Sequence, residues 1–113
     1  MTYNRYDIVK VPFPFTDRQS TKTRPALVLS DGKMFNSLIG HSVMAMITTA
    51  KRSEWPLDTS IENIITAGLP APSIIRLKLF TLDNRLILAK LGQLALADQI
   101  LVEQHLRTLL FSG

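Results

Sequence analysis

At 113 residues, 46% hydrophobic and 19% charged, the chain is predicted to fold as a single domain over 1–113, which excludes wholesale disorder. The absence of cysteine excludes a disulfide framework, a thiolate nucleophile and a cysteine zinc site. No run reaches the roughly 20 apolar residues that span a bilayer, and the start does not read as a signal peptide, so a cytoplasmic protein with no membrane partner is expected. The net charge of +4 has its whole surplus in residues 1–56, which fits a polyanionic partner and equally fits ordinary solubilising charge.

In chain order, Ile8 to Phe15 alternates Val9, Val11, Phe13 and Phe15 onto one face of a strand. Pro12 and Pro14 cannot donate to a ladder, so its end is expected at an edge or a bulge. Asp17 to Thr23 is a polar loop, Arg24 opens a strand through Ser30, and Asp31-Gly32 ends it as a turn. His41 to Thr49 reads as a third strand, Ser73 to Phe80 and Arg85 to Leu91 as two more, joined at Leu82-Asp83-Asn84. Asp58 to Glu62 is expected to pair weakly, and Asn63 to Ala67 to make one helical turn stopped by Gly68. Leu96 to Phe111 is the one long helix, with Leu96, Ile100, Val102, Leu106, Leu109 and Leu110 on an apolar face opposed by Glu103, Gln104 and Arg107. Short strands at close spacing followed by one amphipathic helix predict a mainly β (α+β) fold. Its expected form is a small, strongly bent antiparallel barrel with the helix packed on it.

The chain is short of ready-made catalytic parts. His41 and His105 are its only histidines, and its acidic residues are scattered without metal-ligand spacing, so no metal and no other cofactor is expected. RNA supplies its own nucleophile, the 2′-hydroxyl beside the scissile phosphate. An enzyme using it needs orientation, proton transfer and a positive group for the pentacoordinate phosphate.

The segment D-I-V-K-V-P-F-P-F-T-D, followed by a short polar loop and R-P-A-L-V-L-S, resembles the opening of the MazF/PemK toxins. The likeness continues in M-I-T-T at 46–49, A-G-L-P-A-P-S-I-I-R at 67–76 and F-T-L-D at 80–83, and so covers nearly the whole chain. The resemblance implies an SH3-like barrel, a homodimer, sequence-selective cleavage of single-stranded RNA (mRNA), and inhibition by a cognate acidic antitoxin.

It also implies where the site lies. The family's functional arginine stands at the R-P position, here Arg24, whose guanidinium fork matches two phosphate oxygens and stays charged. The family's active-site threonine follows the isoleucine of M-I-T-T, which selects Thr48 over Thr49; either hydroxyl can donate to a phosphate oxygen. Arg76 and Lys78 share a strand face by period 2 and form a basic stripe suited to an RNA backbone. One branch of the family carries an arginine and an aspartate in this region as an acid/base pair; Arg76 matches the arginine, but Lys78 stands where the aspartate would be. Relatives often carry a glutamate five residues before the R-P arginine, and here that residue is Gln19. Asp17 is a geometric substitute as general base and equally an ordinary turn former. His41 heads a strand and as a lone histidine is more simply structural.

Arg18, Lys22, Thr49, Lys51 and Arg52 flank Arg24 and Thr48 and are candidate RNA contacts, while Trp55 offers either a core ring or a surface for stacking an unpaired base. Two other functions fit the same fold. One is a gyrase-binding toxin of the CcdB kind, which does not need the Arg24/Thr48 pair and typically ends in a tryptophan-containing segment, unlike Leu110-Phe111-Ser112-Gly113. The other is an inactive relative that keeps RNA or antitoxin binding, suggested by Gln19 and Lys78.

Overall fold

Alternating apolar residues build a six-stranded antiparallel sheet in the computed structural model, which describes residues 2–12, 22–49 and 55–111. Its strands are β1 (Asp7–Pro12), β2 (Thr23–Val28), β3 (His41–Thr48), β4 (Thr59–Ser60), β5 (Ile74–Asp83) and β6 (Ala89–Gln93), in the order β4-β5-β3-β2-β1-β6. Three helices complete the fold, α1 (Ser37–Ile39), α2 (Ile64–Ala67) and α3 (Leu96–Phe111). The sheet curls into a half-barrel with α3 at the C-terminal end, the mainly β architecture expected from the pattern. No helix is long and apolar enough to cross a membrane among the described residues.

The curl gives the sheet two cores. Ile8, Leu27, Ala45, Ile47 and Ile75 project to one side and pack with Ile61, Leu94 and Val102. Val9, Val11, Ala26, Val28 and Met44 project to the other, joined by Tyr3, Leu82 and Ile87. β1 and β2 are thus buried on both faces, and each large side chain fully removed from water there contributes about 1.5–3 kcal/mol.

Several elements differ from the sequence expectation. The strand expected over 85–91 forms later, as β6, and pairs with β1 rather than with its chain neighbour. β5 runs on to Asp83, whose carboxylate accepts the Arg85 backbone N–H at 2.9 Å and holds Asn84–Leu86 in a 3₁₀ turn. The turn expected at Asp31-Gly32 instead starts a helical segment: Gly32–Asn36 forms a π turn that leads into α1, capped by Asp31 Oδ1 on the N–H groups of Lys33 and Met34. Gly68 does stop α2: it adopts φ +73°, and Leu69 N–H returns to the Ile64 carbonyl at 3.0 Å. On α3 only part of the expected apolar face is covered. Val102 is buried and Leu106 half-buried, whereas Leu96, Ile100, Leu109 and Leu110 stand exposed with Leu101 and Phe111. The buried residues of α3 are Asp98 and Val102, so its inward side passes through an acid.

Candidate functional site

β2 and β3 pair as Val28↔Met44, Leu27↔Ala45 and Ala26↔Met46. Directly paired residues share a face, and side chains repeat every second residue. Arg24, two before Ala26, and Thr48, two after Met46, therefore lie on one face of adjacent strands. Arg76 pairs with Met46 from β5, and Val11 pairs with Arg24 from β1, so both belong to the same face. This is the side carrying the core of Val9, Val11, Ala26 and Met44, which gives way at its end to Arg24, Thr48 and Arg76.

Pro25 helps to open that end. It has no N–H to offer β3, and the β2–β3 register stops one residue earlier, at Ala26↔Met46. Beyond it lies a cleft of about 480 Å³ lined by Lys22, Thr23, Arg24, Pro25, Ile47 and Thr49. Of the two candidate threonines, Thr49 lines the cleft, while Thr48 lies on the face of Arg24 and Arg76 and pairs with Ile74.

Arg76 has a partner that sequence spacing did not indicate. Asp58 binds its guanidinium through two contacts, Nε to Oδ1 at 3.3 Å and Nη2 to Oδ2 at 3.0 Å. The Asp58 side chain is 1% exposed and that of Arg76 18%, so the pair is largely out of solvent, where a carboxylate–guanidinium fork is strong and directional. The Trp55 ring lies over both neighbouring cations, with its centroid 5.4 Å from Arg76 Cζ and 5.5 Å from Lys78 Nζ. Arg76 and Lys78 thus meet under the Trp55 ring, a neighbour that strand alternation did not indicate, and Trp55 is 42% exposed rather than a core ring.

His41 does not join them. It begins β3 while Thr48 ends it, a separation of about 23 Å at about 3.3 Å per residue. There it lines a separate cavity of about 440 Å³ with Asp83, Asn84 and Arg85. His105 is held by Thr59, Oγ1 to Nδ1 at 2.7 Å, and ties α3 to β4. Arg18, Lys51 and Arg52, with Asp17 and Gln19, lie outside the described residues. Among the described residues no group of three or more His, Cys, Asp or Glu is gathered to hold a metal ion.

A curled antiparallel half-barrel with a C-terminal helix, bearing arginines and a threonine on one face, defines a class that the comparisons identify. Residues 4–110 match the PemK-like, MazF-like toxins of type II toxin–antitoxin systems, and the chain belongs to that family. The fold agrees with MazF from Deinococcus radiodurans, at a TM-score of 0.73 and 22% identity, covering 97% of each chain. It agrees also with a MazE–MazF structure from the same organism, at a TM-score of 0.75 and 18% identity over 100% of this chain and 99% of the other. A third likeness is to an endoribonuclease in complex with its cognate antitoxin from a mycobacterial species, with a TM-score of 0.72 and 16% identity over 95% and 91% of the two chains. No curated protein matches the sequence.

Proposed function

We propose that the chain is the toxin of its module and acts as a sequence-selective, metal-independent endoribonuclease on single-stranded mRNA in the cytoplasm. The observation that carries this reading is the convergence of Arg24, Thr48 and Arg76 on one sheet face beside an open cleft. In the proposed reaction the 2′-oxygen attacks the adjacent phosphorus as its proton leaves to a base. The bond from phosphorus to the 5′-oxygen breaks, and that oxygen takes up a proton. The products are a 2′,3′-cyclic phosphate and a 5′-hydroxyl. Arg24 stabilises charge on the pentacoordinate phosphate through its guanidinium fork. The Thr48 hydroxyl orients a phosphate oxygen or the 2′-hydroxyl, and Arg76, Lys78 and Lys22 hold the flanking backbone. Thr49, which lines the same cleft, is a further contact.

The functional form is a homodimer, supported by the exposed Leu96, Ile100, Leu101, Leu109, Leu110 and Phe111 of α3. An acidic antitoxin segment binds the basic face and excludes RNA from its phosphate sites; relatives solved as toxin–antitoxin complexes support the existence of such a partner. The decisive experiment incubates the purified protein with a long unstructured RNA in EDTA. Cleavage leaving cyclic-phosphate and 5′-hydroxyl ends is expected. Activity that vanishes in EDTA and returns with magnesium overturns the mechanism, and no cleavage under either condition overturns the enzyme reading.

A further inference from the structure

The carboxylate buried against Arg76 comes from a part of the chain that no motif marked. Four observations meet at Asp58. Its side chain is 1% exposed and takes both Nε and Nη2 of Arg76. Its backbone N–H returns to the Trp55 carbonyl at 3.3 Å, and its Oδ2 accepts the Trp55 N–H at 3.4 Å, closing a tight turn. Leu57, immediately before it, adopts φ +66°, a left-handed conformation costly for a side chain with a Cβ. The Trp55 ring of that same turn lies over Arg76 and Lys78. A strained turn is thus held so that one carboxylate and one indole fix a single guanidinium.

From this geometry we infer that Asp58 is a positioning residue for RNA cleavage, holding the Arg76 guanidinium in one orientation on the RNA backbone next to the phosphate that is cut. The inference rests on the ribonuclease reading above and deepens it. A carboxylate gripping two adjacent donors fixes the plane of the fork, and so the direction in which its other N–H groups point. Arg76 is directly paired with Met46, and so lies on the face of Arg24 and Thr48. A guanidinium held on that face meets a phosphate in one orientation, whereas an untethered one samples many. Misplacement of about 1 Å in such a group costs on the order of 10²-fold in rate. Asp58 acts through Arg76 and does not itself touch RNA.

The test measures single-turnover cleavage of an RNA oligonucleotide containing one mapped cut site. Asp58→Asn keeps the shape and removes the charge; it is expected to lower kcat by about 10- to 100-fold with KM changed less than about threefold. Asp58→Glu, which restores the charge, is expected to recover most of that loss. The decisive arm uses chemical rescue. Arg76→Ala should regain activity when guanidinium is supplied in solution, and the Arg76→Ala, Asp58→Asn double variant should not. A merely structural Asp58 predicts equal rescue in both backgrounds, and that result overturns the inference, as does wild-type kcat in a folded Asp58→Asn protein. Should Asp58→Asn fail to fold, the same rescue comparison is made with Asp58→Ser, which also lacks the carboxylate, and equal rescue in that background counts against positioning. If the wild-type protein does not cut RNA at all, the ribonuclease reading falls and this inference with it. If it cuts but Asp58 proves indifferent, only the inference falls.

Discussion

Arg24 and Thr48 stand on one face of neighbouring strands, brought together by the Ala26↔Met46 pairing that lies between them. The pairing matters because each residue alone is commonplace, an arginine at a strand start and a threonine at a strand end. Together they place a permanent cation and a hydroxyl on one sheet face, and Arg24 also lines the neighbouring cleft.

Arg24→Ala is therefore expected to reduce RNA cleavage by about 10²–10³-fold, the usual cost of losing a donor that stabilises transition-state charge. Thr48→Ala should be milder but clear, and Thr49→Ala milder again. Initial rates on one RNA, with circular dichroism to check folding, decide the matter. Wild-type rates in folded Arg24→Ala and Thr48→Ala proteins would move the site elsewhere.

Asp98 is fully buried in the first turn of α3 and accepts the backbone N–H groups of Glu62 and Asn63, each at 3.1 Å. Asp98→Ala leaves both donors without their charged acceptor and is expected to lower stability by about 1–3 kcal/mol. Urea unfolding measures this, and Asp98→Asn, which keeps one acceptor oxygen, should fall between the two. Specific activity of the folded fraction should not change, because Asp98 anchors the helix and does not reach the cleft.

Asp83 supplies a pH dependence. The side-chain hydrogen bonds from Arg85, followed by the Arg85 backbone N–H, push its pKa from 3.8 down to about 2. A depressed carboxylate stabilises the fold above its unfolded value, and that contribution is lost as the pH falls through the folded one. Asp83→Asn should thus be less stable than wild type at neutral pH, with the gap closing between pH 3.8 and about 2. A carbon-13 titration of the Asp83 carboxyl checks the cause directly; a midpoint near 3.8 contradicts it.

The exposed apolar residues of α3 predict self-association. Light scattering at micromolar concentration in moderate salt should report a dimer. Leu110→Glu together with Phe111→Glu should shift it toward monomer while leaving the fold intact, since both side chains are exposed. A clean wild-type monomer under those conditions removes the dimer from the proposed function.

Much of the sheet was legible because strand alternation is local. Val9, Val11, Leu27 and Ile47 announce their faces through their immediate neighbours. Gly68 announces a helix stop through its own backbone freedom, and β2, β3 and the C-terminal helix lie close to their expected ranges, as does the described part of the first strand, with Phe13 to Phe15 outside the described residues. The helical segment after Asp31 was missed although a signal was present: an aspartate able to cap two N–H groups, with Gly40 in the left-handed region at the far end. The late start of β6 was not legible, because its partner is β1, more than 70 residues away in sequence, and register against a distant strand leaves no local trace.

For the site, the sequence by itself determined which residue types were available: Arg24 before a proline, hydroxyls closing an apolar strand, and the alternating Arg76 and Lys78. Only the tertiary structure decided what each of them meets. It set Arg24, Thr48 and Arg76 on one face through strand register, left His41 at the opposite end of β3, and delivered Asp58 to Arg76 across 18 residues. The physical reason is the range of each interaction. Propensity and alternation act between near neighbours in the chain, whereas Asp58 meets Arg76 through the pairing of β4 with β5 and the turn at Leu57.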